Sequence, residues 1–271
     1  MIGLILAFKR FRYDLGMFAS PWVGFDNFVF LFTSDVAYRI TFNAIFYSLT
    51  FMLITTVCGI TLAILLGELR RQSVKVYQTI MFYPHFLSWI VVSYLVLGFL
   101  DHSHGFMNQL LQSLGFAPVR WFQEAPYWRY ILNIVNLWKG IGVATVIYYA
   151  GIMGIDPNYY EAARIDGATK FQMARKITVP MIAPLVSILV ILSIGAMMKN
   201  DFGLFFFVPQ NSGFLYPTTD VIDTYVYRAL TQIGDIGMAA AAGLYQSFVG
   251  LILVILANYG IRRIAPDNSL W

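Results

Sequence analysis

Residues 156–180 read DPNYYEAARIDGATKFQMARKITVP and form the longest polar-rich connection between two long apolar runs. Asp156-Pro157 is a helix start, with the acid as N-cap and proline at the first helical position. Tyr159, Tyr160, Ala162 and Ala163 give the first helix an apolar aspect, while Glu161 and Arg164 stay polar. Asp166-Gly167 permits a sharp turn, because glycine tolerates backbone angles closed to other residues. A second short helix is expected from about Thr169 to Ile177, with Phe171, Ala174 and Ile177 or Thr178 near one side at spacings of three and four. Such a two-helix projection carries an apolar face that it cannot bury alone. A docking surface for another protein follows from that more naturally than an active site.

The flanking sequence is that of a membrane protein. Of 271 residues, 59% are hydrophobic and 12% charged, against roughly a quarter charged in soluble domains. The fold class is therefore all-α, a polytopic bundle. Complete spans are expected at about 44–67, 78–100, 129–152, 183–207 and 238–260, each near the roughly 20 residues a bilayer needs. Residues 1–8 are apolar but too short to cross and are followed at once by Lys9, Arg10 and Arg12, the reverse of a signal peptide. Residues 1–43 thus read as a partial first span and an interfacial segment, and 44–271 as the membrane-spanning core. A short helix is expected around Phe106–Leu114, and an amphipathic one over 219–230. Placing the 156–180 connection in the cytoplasm puts Arg70, Arg71, Lys75, Arg164, Lys170, Arg175, Lys176, Arg262 and Arg263 on that side, as the positive-inside rule favours. The one cysteine, Cys58, lies in an apolar run and supports neither a disulfide framework nor a cysteine-rich metal site.

Glu161-Ala162-Ala163, then Gly167, Ile177 and Pro180, resemble the EAA signature loop of the permease subunits of type I ATP-binding-cassette importers. EAARIDGATKFQMARKI is similar to the carbohydrate-importing branch. SPWVGFDNF near the start and GDIGMAAAAGLYQSFVGLILVILANYGIRR near the end resemble permeases for complex oligosaccharides. Val179 departs from the usual leucine, and MIGLILAFKRF resembles the end of such a permease's first span, so that the sequence begins late in the pattern.

The resemblance implies a type I importer permease fold in a bacterial cell membrane, working as half of a pathway for oligosaccharides. It implies as partners a second permease subunit, two cytoplasmic ATPase subunits and an extracellular or periplasmic sugar-binding protein. Residues 153–182 would then be the coupling loop, with Glu161 its polar anchor on the ATPase, Ala162 and Ala163 allowing close approach, and Gly167 the turn. ATP and Mg2+ would be bound by the partner ATPases, since no GxxxxGK[ST] phosphate loop occurs here. The chain itself is expected to hold no cofactor or metal and to catalyse nothing.

A secondary transporter or channel working without an ATPase is the alternative; it predicts inverted repeats, and none is visible. A membrane-embedded enzyme would need convergent acids, histidines or cysteines, and the charges are scattered. Lys139, Lys199 and Asp201 fall in or near expected spans, where charge is costly. Each is read as lining a pathway, pairing structurally or at a subunit contact, or snorkelling to the interface. His85, His102 and His104 lack a convincing third ligand and read as surface residues. Trp128, Tyr225 and Tyr227 are expected to anchor at the membrane surface or to stack on sugars, and Ala239–Gly243 to allow close helix packing.

Overall fold

The uncharged run beginning at Ala44 is the apolar part of a longer helix, α1, Asp35–Gly67. Its start is fixed by the Ser34 hydroxyl, which accepts from the Val36 amide, and by Asp35 in the first turn, where negative charge suits the helix dipole. The computed structural model describes residues 2–264, so the tail beyond Ile264, expected in the cytoplasm, lies outside the described residues. The main further helices are α2 (Arg71–Phe82), α3 (Trp89–Leu100), α4 (Phe106–Ser113), α5 (Ala125–Met153), α6 (Pro157–Ile165), α7 (Lys170–Gly195), α8 (Phe202–Phe207), α9 (Ile222–Arg228) and α10 (Ile236–Ile264). Residues Ile2–Phe8 form a 3-10 helix, and Lys9 and Trp22 share an isolated antiparallel bridge.

Among the described residues α1, α5, α7 and α10 are each long and apolar enough to cross a membrane, and α2 with α3 makes a fifth if the broken pair is one span. Two expected boundaries are corrected. The run 78–100 is not one helix: it breaks at 83–88, where Pro84 offers no amide and the Ser88 hydroxyl caps α3 by accepting from Val91. The run 183–207 is not one helix either. Its helix begins as early as Lys170 and stops at Gly195, and residues 196–201 leave the helix before α8. The apolar reading ran on because Met197, Met198 and the phenylalanines of α8 are as hydrophobic as a span.

The chain forms two compact units. One gathers residues 1–48, 88–133 and 195–253. Its core packs Ile40, Ala44, Met198, Ile222 and Ala242, so the small residues of α10 serve packing within the bundle. Non-helical backbone in such surroundings must find partners, and side chains supply them. Asn43 donates to the carbonyls of Pro217 (3.3 Å) and Asp220 (2.9 Å), Tyr47 to that of Thr218 (2.8 Å), and Ser48 and Gln246 to those of Met197 and Met198 (both 2.8 Å). Asp220 is buried against Arg228, with both carboxylate oxygens 2.6 Å from Nη2. Trp128, expected at the membrane surface, is instead fully buried and donates to the carbonyl of Trp121 at 2.7 Å. Tyr225 stacks on Phe30, and Tyr227 joins Phe202 and Phe206.

The other unit gathers 49–87, 134–194 and the segment from 254. Here glycines set the contacts. A Cβ on Gly142 would stand 2.2 Å from the Met81 carbonyl oxygen, and one on Gly59 3.1 Å from the Tyr148 ring. At Gly142 the two backbones can approach this closely only because a side chain is missing.

Candidate functional site: the 156–180 projection

The local chemistry of residues 156–180 accounts for their shape. Asp156 accepts from the Asn158 amide at 3.0 Å, and Pro157 fills the first position of α6. The helix closes by a Schellman arrangement: the Ala168 amide bonds the Ala163 carbonyl (2.9 Å), and the Gly167 amide bonds that of Arg164 (3.0 Å). Gly167 sits at φ +77°, the left-handed conformation this motif requires. Two residues on, Thr169 and Gln172 form a reciprocal capping box that starts α7.

The two helices are clasped together by Tyr160 and Thr178, whose hydroxyls lie 2.9 Å apart. Lys170 forms an ion pair with Glu68, just beyond the end of α1. At Ala174–Thr178 the backbone widens into a π-helical stretch before resuming α geometry at Val179. That extra residue per turn changes the expected face. Met173 and Thr178 are buried, Ala174 and Ile177 half-buried, and Phe171 turns away, 75% exposed.

Of the residues singled out in the sequence, Glu161, Ala162, Gly167 and Pro180 are exposed, and Ala163 and Ile177 half-buried. Glu161 and Arg164 open onto a cleft of about 270 Å³, also lined by Glu68, Tyr160, Lys170 and Met173. Ile165, which the sequence reading did not single out, is 87% exposed at the tip of α6. Its exposure, with that of Phe171, leaves large apolar side chains in the open on a polar projection. Their signal lay in the sequence as apolar residues flanking the Asp166-Gly167 turn.

Lys139, Lys199 and Asp201 are not drawn into this site. Lys139, half-buried at the middle of α5, donates to the His85 carbonyl at 2.7 Å, in the break after α2. Lys199 is exposed in the stretch after α7. Asp201 caps α8 by accepting from the Gly203 amide (2.9 Å), and its second oxygen accepts from the Trp89 indole (2.7 Å). His102 and His104 are exposed in the loop after α3. Among the described residues no group of three or more His, Cys, Asp or Glu is placed to hold a metal ion.

The chain as a whole is similar to known proteins. Residues 55–266 match the family described as binding-protein-dependent transport system inner membrane component. The chain is 33% identical over 271 residues to the polygalacturonan/rhamnogalacturonan transport system permease protein YteP of Bacillus subtilis, covering 99% of this chain and 83% of that protein. It is 32% identical to Protein LplB of the same organism, covering 99% and 84%. The crystal structure of a bacterial ABC transporter involved in the import of the acidic polysaccharide alginate contains a chain that superposes with TM-score 0.88 at 36% identity, covering 98% of this chain and 89% of that one.

Proposed function

Because the chain belongs to the inner-membrane components of binding-protein-dependent transport systems, we propose that the 156–180 projection is where a cytoplasmic ATPase subunit grips it. The chain is a multi-pass transmembrane subunit of a carbohydrate importer in a bacterial cell membrane and is not itself an enzyme. The secondary-transporter alternative falls with that assignment. The observation that carries the docking reading is a self-capped pair of helices holding Ile165 and Phe171 in the open, with Glu161 lining the cleft beside them. Apolar side chains so exposed on a polar projection mark an interaction surface.

On this reading Glu161 is the polar anchor in an ATPase cleft. Ala162 and Ala163 let the partner's surface approach α6, Gly167 makes the turn, and Ile177 and Pro180 join the projection to its span. ATP and Mg2+ belong to two ATPase subunits. A second permease and a sugar-binding protein complete the complex, and α2 with α3 counts as one of five crossings. The substrate we assign is an oligosaccharide bearing carboxylates. YteP is named for polygalacturonan and rhamnogalacturonan, and the alginate importer for an acidic polysaccharide. Lys139 and Lys199 are cations suited to line a path for such a cargo, while the two bonds of Asp201 support a structural role for it.

The test is co-purification of the chain with its ATPase in detergent, with and without Glu161→Ala, and sugar-stimulated ATP hydrolysis on each preparation. Binding with stimulated turnover that the substitution weakens or uncouples is expected. An ATPase that never binds, or turnover indifferent to Glu161, would falsify the docking role.

A further inference from the structure

A second concavity, in the unit built from 1–48, 88–133 and 195–253, is left unused by that reading. Two cavities of about 500 and 340 Å³ both border Leu97 and Gln210, and we take them together as one trough. Both volumes fall in the range of roughly 300–1,000 Å³ usual for small-molecule sites. The floor is one face of α3, with Ile90, Ser93, Tyr94 and Leu97 at helical spacing, ending at Asp101. At 1.5 Å per residue that face is roughly 16 Å long, longer than a single sugar ring.

The lining alternates aromatic rings with amides. Tyr94 is 69% exposed. Phe206 is held by stacking on Phe202 at 4.8 Å, and Trp121 by its indole bond to Asn108 at 3.1 Å. Gln210 and the adjacent Asn211 have φ of +56° and +47°, the only non-glycine residues with positive φ among those described. Strain of this kind persists where surrounding structure fixes it, and it clusters at functional sites. Asn211 is spent within the fold, accepting from the Tyr216 hydroxyl at 3.1 Å. The Gln210 carboxamide makes no side-chain hydrogen bond among the described residues and borders both cavities.

Arg120, which has no ion pair among the described residues, lines the far end. Asp101, which lines the same cavity, is turned to its own backbone. Its carboxylate accepts from the amides of His104 (2.7 Å) and Ser103 (3.0 Å), and these bonds, that to His104 foremost, hold it below the usual carboxylate range. Amides and a guanidinium are ill suited to lipid tails. Aromatic faces, amides and one unspent guanidinium together match the apolar faces, hydroxyls and carboxylate of an acidic sugar.

We infer that this trough is a binding site for an extended, carboxylate-bearing oligosaccharide, with Gln210 meeting its hydroxyls and Arg120 its charge. The inference rests on the acidic-substrate reading above. Its test uses the whole importer in proteoliposomes with the binding protein, fed tetragalacturonate or its methyl ester at sub-saturating concentration. Arg120→Gln is expected to lower tetragalacturonate uptake about tenfold, as loss of one charge-assisted hydrogen bond predicts, and to change methyl-ester uptake little. Gln210→Gly keeps the left-handed turn, and so should fold as well as the parent while lowering uptake of both sugars. Wild-type uptake of both sugars with silent variants removes the trough and leaves the acidic-substrate reading standing. A wild-type complex that moves only the methyl ester sinks that reading, and the role of Arg120 with it. Loss of the second transmembrane subunit from the Arg120→Gln complex on size-exclusion chromatography would make the trough a subunit contact instead.

Discussion

The 156–180 projection and the 196–234 connector are both polar interruptions of apolar sequence, yet they solve opposite problems. The projection is capped from within: Asp156, Thr169, Gln172 and Gly167 each act on residues no more than four positions away, and the Lys170–Glu68 ion pair is its one side-chain tie named above that reaches outside it. Its outer surface is left exposed. The connector is satisfied from a distance, by Asn43 and Tyr47, which lie 171–177 positions earlier in the chain. What it gains is an ion pair, Asp220 with Arg228, closed off from solvent. A self-contained element can change without disturbing the fold, whereas one held by distant donors cannot.

This contrast can be broken experimentally. Asp220→Ala leaves the Arg228 guanidinium facing a buried vacancy, and should cost about 3–5 kcal/mol. It is read as a large fall in the melting temperature of the purified complex; a melt within error of the parent would refute the contrast. Gly167→Ala imposes a side chain on a left-handed residue and should cost about 1–2 kcal/mol, felt as fraying of α6 in hydrogen exchange while the spans keep their protection.

Asp223 offers a smaller effect with a defined sign. Burial lifts its carboxyl above the ordinary range, although the Asn200 amide and the Gln246 side chain oppose this. The folded state therefore holds the proton more tightly than the unfolded one. The stability tied to it is complete below the ordinary carboxylate range and is lost as pH rises through the lifted value. The difference in melting temperature between Asp223→Asn and the parent should thus shift in favour of the variant on going from acidic to neutral pH; a pH-independent difference would contradict the burial argument. Glu161→Ala should have the least effect on stability, within about 0.5 kcal/mol as for exposed positions generally, with an unchanged melt even where coupling fails.

The same contrast explains what the sequence made legible. Caps, a glycine turn and apolar runs act locally, so both helices of the projection and four long helices could be read from residues 156–180 and from hydropathy. The π-helical stretch at Ala174–Thr178 could not, and it turned Phe171 off the face expected for it. Nor could the end of α7 at Gly195, because the donors that let the chain leave the helix there, Ser48 and Gln246, are remote in sequence. Trp128 was misread for a related reason. An indole at a span end suits the membrane surface, and only the fold offers it the Trp121 carbonyl. The trough was out of reach as well, since α3 and Gln210 are brought together by the fold alone.

Because α7 runs from Lys170 to Gly195, the second helix of the projection and the span that follows it are one helix, widened at Ala174–Thr178. Its 26 residues make a rod of roughly 39 Å. A tilt of about 10° at such a length carries the far end roughly 7 Å. On the docking proposed above, the projection is the short handle of a lever: a pull that tilts the rod becomes a displacement larger than one helical turn, with the wide turn at Ala174–Thr178 as the place where the rod can give.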